Sequence, residues 1–84
     1  MTIVIYTRDG CHLCDDAHRL LIARQSRFDF ELTSVDVDAD PELAARFGDR
    51  VPVVVVDGRE RFSGNVPPAL LDRLLAGGGR LRGR

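Results

Sequence analysis

The order of apolar segments predicts an α/β fold, β-α-β-α-β-β-α, with a four-stranded mixed sheet and helices on both faces. Three observations carry that reading. A short β-branched run from Thr2 to Tyr6 is followed by apolar residues at helical spacing. The run Val53 to Val56 is apolar without a break, as expected of a strand covered on both faces. Asp57-Gly58 comes directly after it and signals a two-residue hairpin. A β-α-β unit joins two parallel strands by a right-handed crossover, and the hairpin adds an antiparallel pair.

Each element has its own local reason. The first helix is expected from about His12 to Ser26, because Leu13, Ala17, Leu20 and Leu21 form one apolar stripe. Asp15, Asp16, Arg19 and Arg24 then face water. In the second strand, Phe28, Phe30 and Leu32 alternate with Asp29 and Glu31. Val35 and Val37 fall out of step, which predicts a bulge or kink near Thr33-Ser34. Asp40-Pro41-Glu42 reads as cap, first-turn proline and acidic side chain of a second helix, with Gly48 as its stop. Leu43, Ala44 and Phe47 supply its buried face. Arg59 to Ser63 is the return strand of the hairpin. Pro67-Pro68 opens a last helix with a stripe of Leu70, Leu71, Leu74 and Leu75, ended by Gly77-Gly78-Gly79. The expected division is a domain over residues 1–76 and a frayed Gly/Arg tail over 77–84.

Composition narrows the function classes. At 84 residues the chain holds one core and not two. Its 44% hydrophobic and 30% charged residues are those of an ordinary globular domain. A net charge of −1 gives no case for nucleic acid or a membrane surface as partner. All twelve basic residues are arginine and none is lysine, a bias that points to genome composition rather than function. The chain opens on its first apolar run, with no basic segment before it, and nothing reaches membrane-spanning length. A cytoplasmic location is expected, where two cysteines serve redox or metal chemistry rather than a structural staple. No sustained heptad argues for association, so a monomer is expected.

Cys11-His12-Leu13-Cys14 carries the chemistry. A helix N-terminus offers unpaired N–H groups and partial positive charge, which favour a thiolate over a thiol. Cys11, at the helix start and more exposed, is the expected nucleophile. Cys14, one turn in and more buried, is the expected resolving thiol, close enough to attack a mixed disulfide on Cys11. His12, when protonated, would also favour the Cys11 thiolate, or else it is an exposed polar residue at a helix start. Asp15 and Asp16 read as ordinary first-turn acids. Cys11, Cys14, His18 and His12 can be counted as metal ligands, but a structural zinc site takes pairs from two elements and no second pair exists, so no metal is expected.

Ile5-Tyr6-Thr7-Arg8-Asp9-Gly10-Cys11-His12-Leu13-Cys14 resembles the opening of glutaredoxins, in which Tyr-Thr-Lys precedes Cys-Pro-Tyr-Cys. Arg50-Val51-Pro52 is similar to their Thr-Val-Pro segment, and Phe62-Ser63-Gly64 to their Gly-Gly turn. Gly-Cys-His-Leu-Cys-Asp, Arg-Val-Pro-Val and Val-Asp-Gly together look like a bacterial glutaredoxin-like family of about this length. The resemblance covers residues 1–76 in element order and implies the thioredoxin fold.

It also implies roles. Arg8 stands at the glutaredoxin lysine position, where a cation steers an anionic thiol substrate. The Val51–Pro52 bond is expected to be cis and beside the cysteines, with Val51 offering backbone groups to an extended substrate. Ser63 and Gly64 stand at the turn that borders bound glutathione. Two departures bear on specificity: His12 replaces the family proline, and Asn65-Val66-Pro67 lacks the carboxylate that meets the α-amino group of glutathione. The expected activity is thiol–disulfide exchange on a protein or low-molecular-weight disulfide. No bound cofactor is required, and glutathione enters, if at all, as a weakly bound co-substrate. The alternatives are a thioredoxin-fold adaptor whose cysteines do not turn over, or a metal or cluster carrier.

Overall fold

The computed structural model describes residues 1–78, 80 and 81, with side chains through Gly77. Strand β1 (Thr2–Thr7) lies inside the sheet because its β-branched residues are apolar on both faces. Helix α1 (His12–Arg24) carries the chain back, and β3 (Glu31–Asp36) then pairs parallel to β1 from Thr2↔Glu31 to Thr7↔Asp36. A 3₁₀ turn (Val37–Ala39) and helix α2 (Pro41–Phe47) lead to β4 (Val53–Val56), which pairs antiparallel with β1. β5 (Arg59–Ser63) completes the sheet order β3-β1-β4-β5, and α3 (Pro68–Gly78) packs over it. The fold class is as expected: a four-stranded mixed sheet between helices. Among the described residues, no helix is long and apolar enough to cross a membrane.

Alternation along the strands divides the core. Ile3, Ile5, Val54 and Val56 face one side, where they meet Ala17 and Leu21 of α1 and Leu71 and Leu75 of α3. Val53 faces the other side with Val37 and Phe47, and Tyr6, Leu43, Val51 and Val55 pack around them. Tyr6 stacks on Phe47 with ring centroids 4.4 Å apart. Asp40 caps α2 by accepting the Glu42 N–H at 2.9 Å, and Pro41 occupies the first turn as expected. The hairpin turn has Asp57 at φ 49° and Gly58 at φ 83°, the left-handed pair that a two-residue turn requires.

Four local expectations need correction. Leu13 is 53% and Leu70 48% exposed. At 100° per residue, α1 turns Cys14, Ala17 and Leu21 inward and leaves Leu13 on the flank, while α3 buries Leu71 and Leu75 with Leu74 beside them. No bulge occurs at Thr33-Ser34, since the β1–β3 register is continuous there. Leu32 and Val35 are out of step because they serve opposite faces, and Val37 belongs to the 3₁₀ turn. The break comes earlier, at Phe30, between β2 (Phe28–Asp29) and β3. The register shift of the sheet lies between β4 and β5, where Arg61 is the extra residue between Val54↔Phe62 and Val55↔Glu60. Finally, α3 runs through Gly78, and β6 (Arg80–Leu81) pairs antiparallel with β2, whose backbone would otherwise lack a partner strand. The rest of the expected tail, residues 79 and 82–84, lies outside the described residues.

The last turn of α1 is tied to α3 by Arg24, whose Nε and Nη2 donate to the two carboxylate oxygens of Asp72. The arginine hydrogen bond holds the Asp72 carboxyl below the usual carboxylate range. A depressed carboxyl contributes stability above its unfolded pKa, and that contribution is lost as pH falls through the folded value. Asp72→Asn should therefore be less stable than wild type at pH 7, with the gap closing below about pH 4. Urea denaturation at the two pH values checks this, and a pH-independent gap would refute it.

Candidate active site

β1 ends at Thr7, and Arg8-Asp9-Gly10 turns the chain into α1. Gly10 sits at φ 78° with open space where a Cβ would stand, so backbone conformation rather than room selects glycine there. Cys11 is the N-cap: its backbone is extended at φ −94°, ψ 108°, and its Sγ accepts the Cys14 N–H at 3.1 Å. Its carbonyl accepts the Asp15 N–H at 3.1 Å. Sulfur thus takes the place that a serine or aspartate oxygen holds at other helix starts, facing the orphan N–H groups and the positive end of the helix dipole.

Cys14 closes a disulfide with Cys11 at a Cα–Cα distance of 5.2 Å. It is 1% exposed, whereas Cys11 is half-buried. The asymmetry expected of nucleophile and resolving thiol is therefore present in the burial. His12 is the exposed first residue of α1. Leu13, between the cysteines, borders a groove of about 220 Å³ with Ala17, Leu20, Asn65 and Val66. Its exposure was not legible from its place in the apolar stripe.

The Val51–Pro52 bond is cis and Pro52 is buried. Tyr6 is opposite Val53, so Pro52 lies at the end of the sheet from which the chain departs for Cys11. The Gly64 N–H donates to both Arg50 O and Pro52 O at 2.9 Å, bracing this segment from β5. Among the described residues, the Val51 N–H and C=O make no hydrogen bond. Ser63 ends β5 and is exposed, and Gly64 has φ 76°.

Arg8 is bonded within the fold. Its Nε and Nη2 donate to the two oxygens of Asp38 at 3.0 Å, and Nη1 donates to Gly48 O at 3.1 Å. A Cβ on Gly48 would lie 2.6 Å from the guanidinium, so glycine makes room for it. The hydrogen bond and charge of Asp38 raise the Arg8 pKa further above its ordinary value. This fork ties the loop before Cys11 to the 3₁₀ turn and to the end of α2. Asp38 was not singled out because its partner is thirty positions away in the chain.

Residues 2–76 match the model of the glutaredoxin-like domain (DUF836). The chain belongs to this glutaredoxin-like family. It is 40% identical over 63 residues to an uncharacterized protein of Mycobacterium bovis, a match covering 69% of this chain and 65% of that one. The chain thus spans just under two thirds of the length of that curated relative. A structural-genomics target protein of X. campestris superimposes with a TM-score of 0.74 at 32% identity, over 90% of this chain and 97% of its own. The glutaredoxin-like protein NrdH-redoxin of Escherichia coli superimposes with a TM-score of 0.66 at 28% identity, over 88% and 95%. The fold is thioredoxin-like, and the Cys-x-x-Cys pair at disulfide distance accords with a redox role in this glutaredoxin-like protein.

Val66 is 6% exposed and belongs to the main core with Leu71 and Leu75. That position has no room for a solvated carboxylate. Asn65, beside it, is exposed and is where an acidic group can stand.

The cap geometry makes a measurable claim about the reduced protein. Alkylation of Cys11 should rise with pH to a midpoint below the roughly 8.5 of free cysteine, and Cys11 should be labelled before Cys14. Mass mapping of labelled peptides across pH checks both, and a midpoint at or above the free value would contradict the capping argument.

Proposed function

We propose that the protein is a small thiol–disulfide oxidoreductase acting on protein or low-molecular-weight disulfides. The observation that carries the proposal is the capping of α1 by the Cys11 sulfur, bridged to a buried Cys14. In the reduced protein, the Cys11 thiolate attacks a substrate disulfide and releases one substrate thiolate. Cys14 then attacks Cys11 Sγ, forming the intramolecular disulfide and releasing the second thiol. An external thiol reductant restores the pair, so the cycle needs no resident cofactor. The unpaired Val51 N–H and C=O are suited to an extended substrate backbone beside Cys11. The E. coli neighbour is described by a thioredoxin-like activity profile, which supports the same reading here.

Cys11→Ser should abolish reduction of a protein disulfide followed by precipitation or fluorescence. Cys14→Ser should instead accumulate a mixed disulfide, visible as one substrate adduct by intact mass. Wild-type protein that turns over no disulfide would sink the proposal and leave the adaptor reading.

Glutathione should be a poor partner. Arg8 is engaged by Asp38 and Gly48, and no carboxylate follows Gly64 to meet the glutathione ammonium. An unpaired charge that loses water costs on the order of 1–3 kcal/mol, about tenfold or more in affinity. Deglutathionylation should therefore be slow in wild type and faster in Asn65→Asp. Rapid wild-type turnover that ignores the substitution would show that glutathione is held by other groups.

A further inference from the structure

Cys14 must attack as a thiolate, yet its side chain is 1% exposed, and burial disfavours the charged form. Its proton needs an acceptor nearby. Among the described residues no charged or polar side chain is buried, so no interior carboxylate stands behind this sulfur. Cys14 does border a cleft of about 350 Å³, whose lining includes His18, Asp9, Asp15, Asp36 and Arg8. His18 is half-buried and lies one turn after Cys14 on the same face of α1, where i,i+4 Cβ atoms are about 5–6 Å apart.

We propose that His18 accepts the Cys14 proton when the mixed disulfide is resolved, directly or through one water in the cleft, a role that rests on the oxidoreductase reading above. The Cys14 S–H bond breaks and the proton passes to the imidazole. The sulfur electron pair forms the Cys11–Cys14 bond while the bond from Cys11 to the substrate sulfur breaks. That substrate sulfur leaves with the bonding pair, reduced, as Cys14 is oxidised. The imidazolium then returns the proton to the departing thiolate or to water.

Imidazole suits this task better than the carboxylates around it. With ordinary values of about 8.5 for a thiol, 6.5 for imidazole and 3.9 for aspartate, transfer to imidazole is uphill by roughly 10²-fold. Transfer to a carboxylate is uphill by more than roughly 10⁴-fold. Asp9 from the loop, Asp15 from α1 and Asp36 from β3 are the other ionisable groups that line the cleft with His18. Arg8, held by Asp38, has no lone pair with which to accept a proton.

A symmetrical chromogenic aryl disulfide, mixed at equal concentration with reduced protein, separates the two steps. The first release of aryl thiolate reports Cys11 attack and the second reports resolution by Cys14. In His18→Gln the first phase should keep its rate, and the second should slow about a hundredfold or more. The mutant second phase should also lose the fall in rate at acid pH that a protonatable acceptor imposes. In His18→Ala, added imidazole should restore the second phase. An unchanged second phase, equal slowing of both phases, or no rescue by imidazole overturns the assignment. Absence of the first phase in wild type overturns the oxidoreductase reading itself.

Discussion

Ile3 to Tyr6 pair antiparallel with the four valines of β4, and both the core and the site follow from that register. Because side chains alternate, it sends Ile3, Ile5, Val54 and Val56 toward α1 and α3, and Tyr6, Val53 and Val55 toward α2. Each fully buried aliphatic side chain contributes roughly 1.5–3 kcal/mol. A slip of one residue would turn every one of them to the wrong layer. The same register sets Val53 opposite Tyr6, which brings Pro52 to the sheet end where the chain departs toward Cys11. Packing energy and active-site placement therefore have one determinant.

Electrostatics at the site is dominated by what is close and unpaired. The helix terminus meets Cys11 Sγ through a hydrogen bond, and such an end is worth about 0.3–1 kcal/mol to a negative charge, more when partly buried. Arg8 lies only three positions from Cys11, but its charge is matched by Asp38 through a two-pronged bond. Through these bonds it ties the loop before Cys11 to the 3₁₀ turn and to the end of α2. The neighbouring acids, Asp9 and Asp15, are open to water and partly screened, so the short contact of the cap prevails over them.

Much of the fold was legible because its signals are local. Asp40 with Pro41 starts a helix, Asp57-Gly58 turns a hairpin, and four valines demand cover on both faces. Cys11 and Cys14 stood out for the same reason: the motif and its place after a strand are contained in a few residues. Leu13 and Leu70 misled because periodicity identifies a helical face but not which part of it meets the sheet. Leu32 and Val35 looked like one interrupted alternation, although each serves a different layer. Val66 was not assigned to the core and is part of it, because α3 begins just after it and folds back over the sheet.

Local sequence is enough for the β-α-β-α-β-β-α order of the main elements and for the Cys-x-x-Cys pair at a helix start. These depend on backbone propensity, periodicity and the affinity of a helix end for a thiolate, all set within a few residues. It took long-range packing to set Arg8 between Asp38 and Gly48, and to place His18 in one cleft with Cys14 and Asp36. Each of these depends on segments far apart in the chain. Their relative positions come from sheet register and layer packing, which no short window of residues encodes.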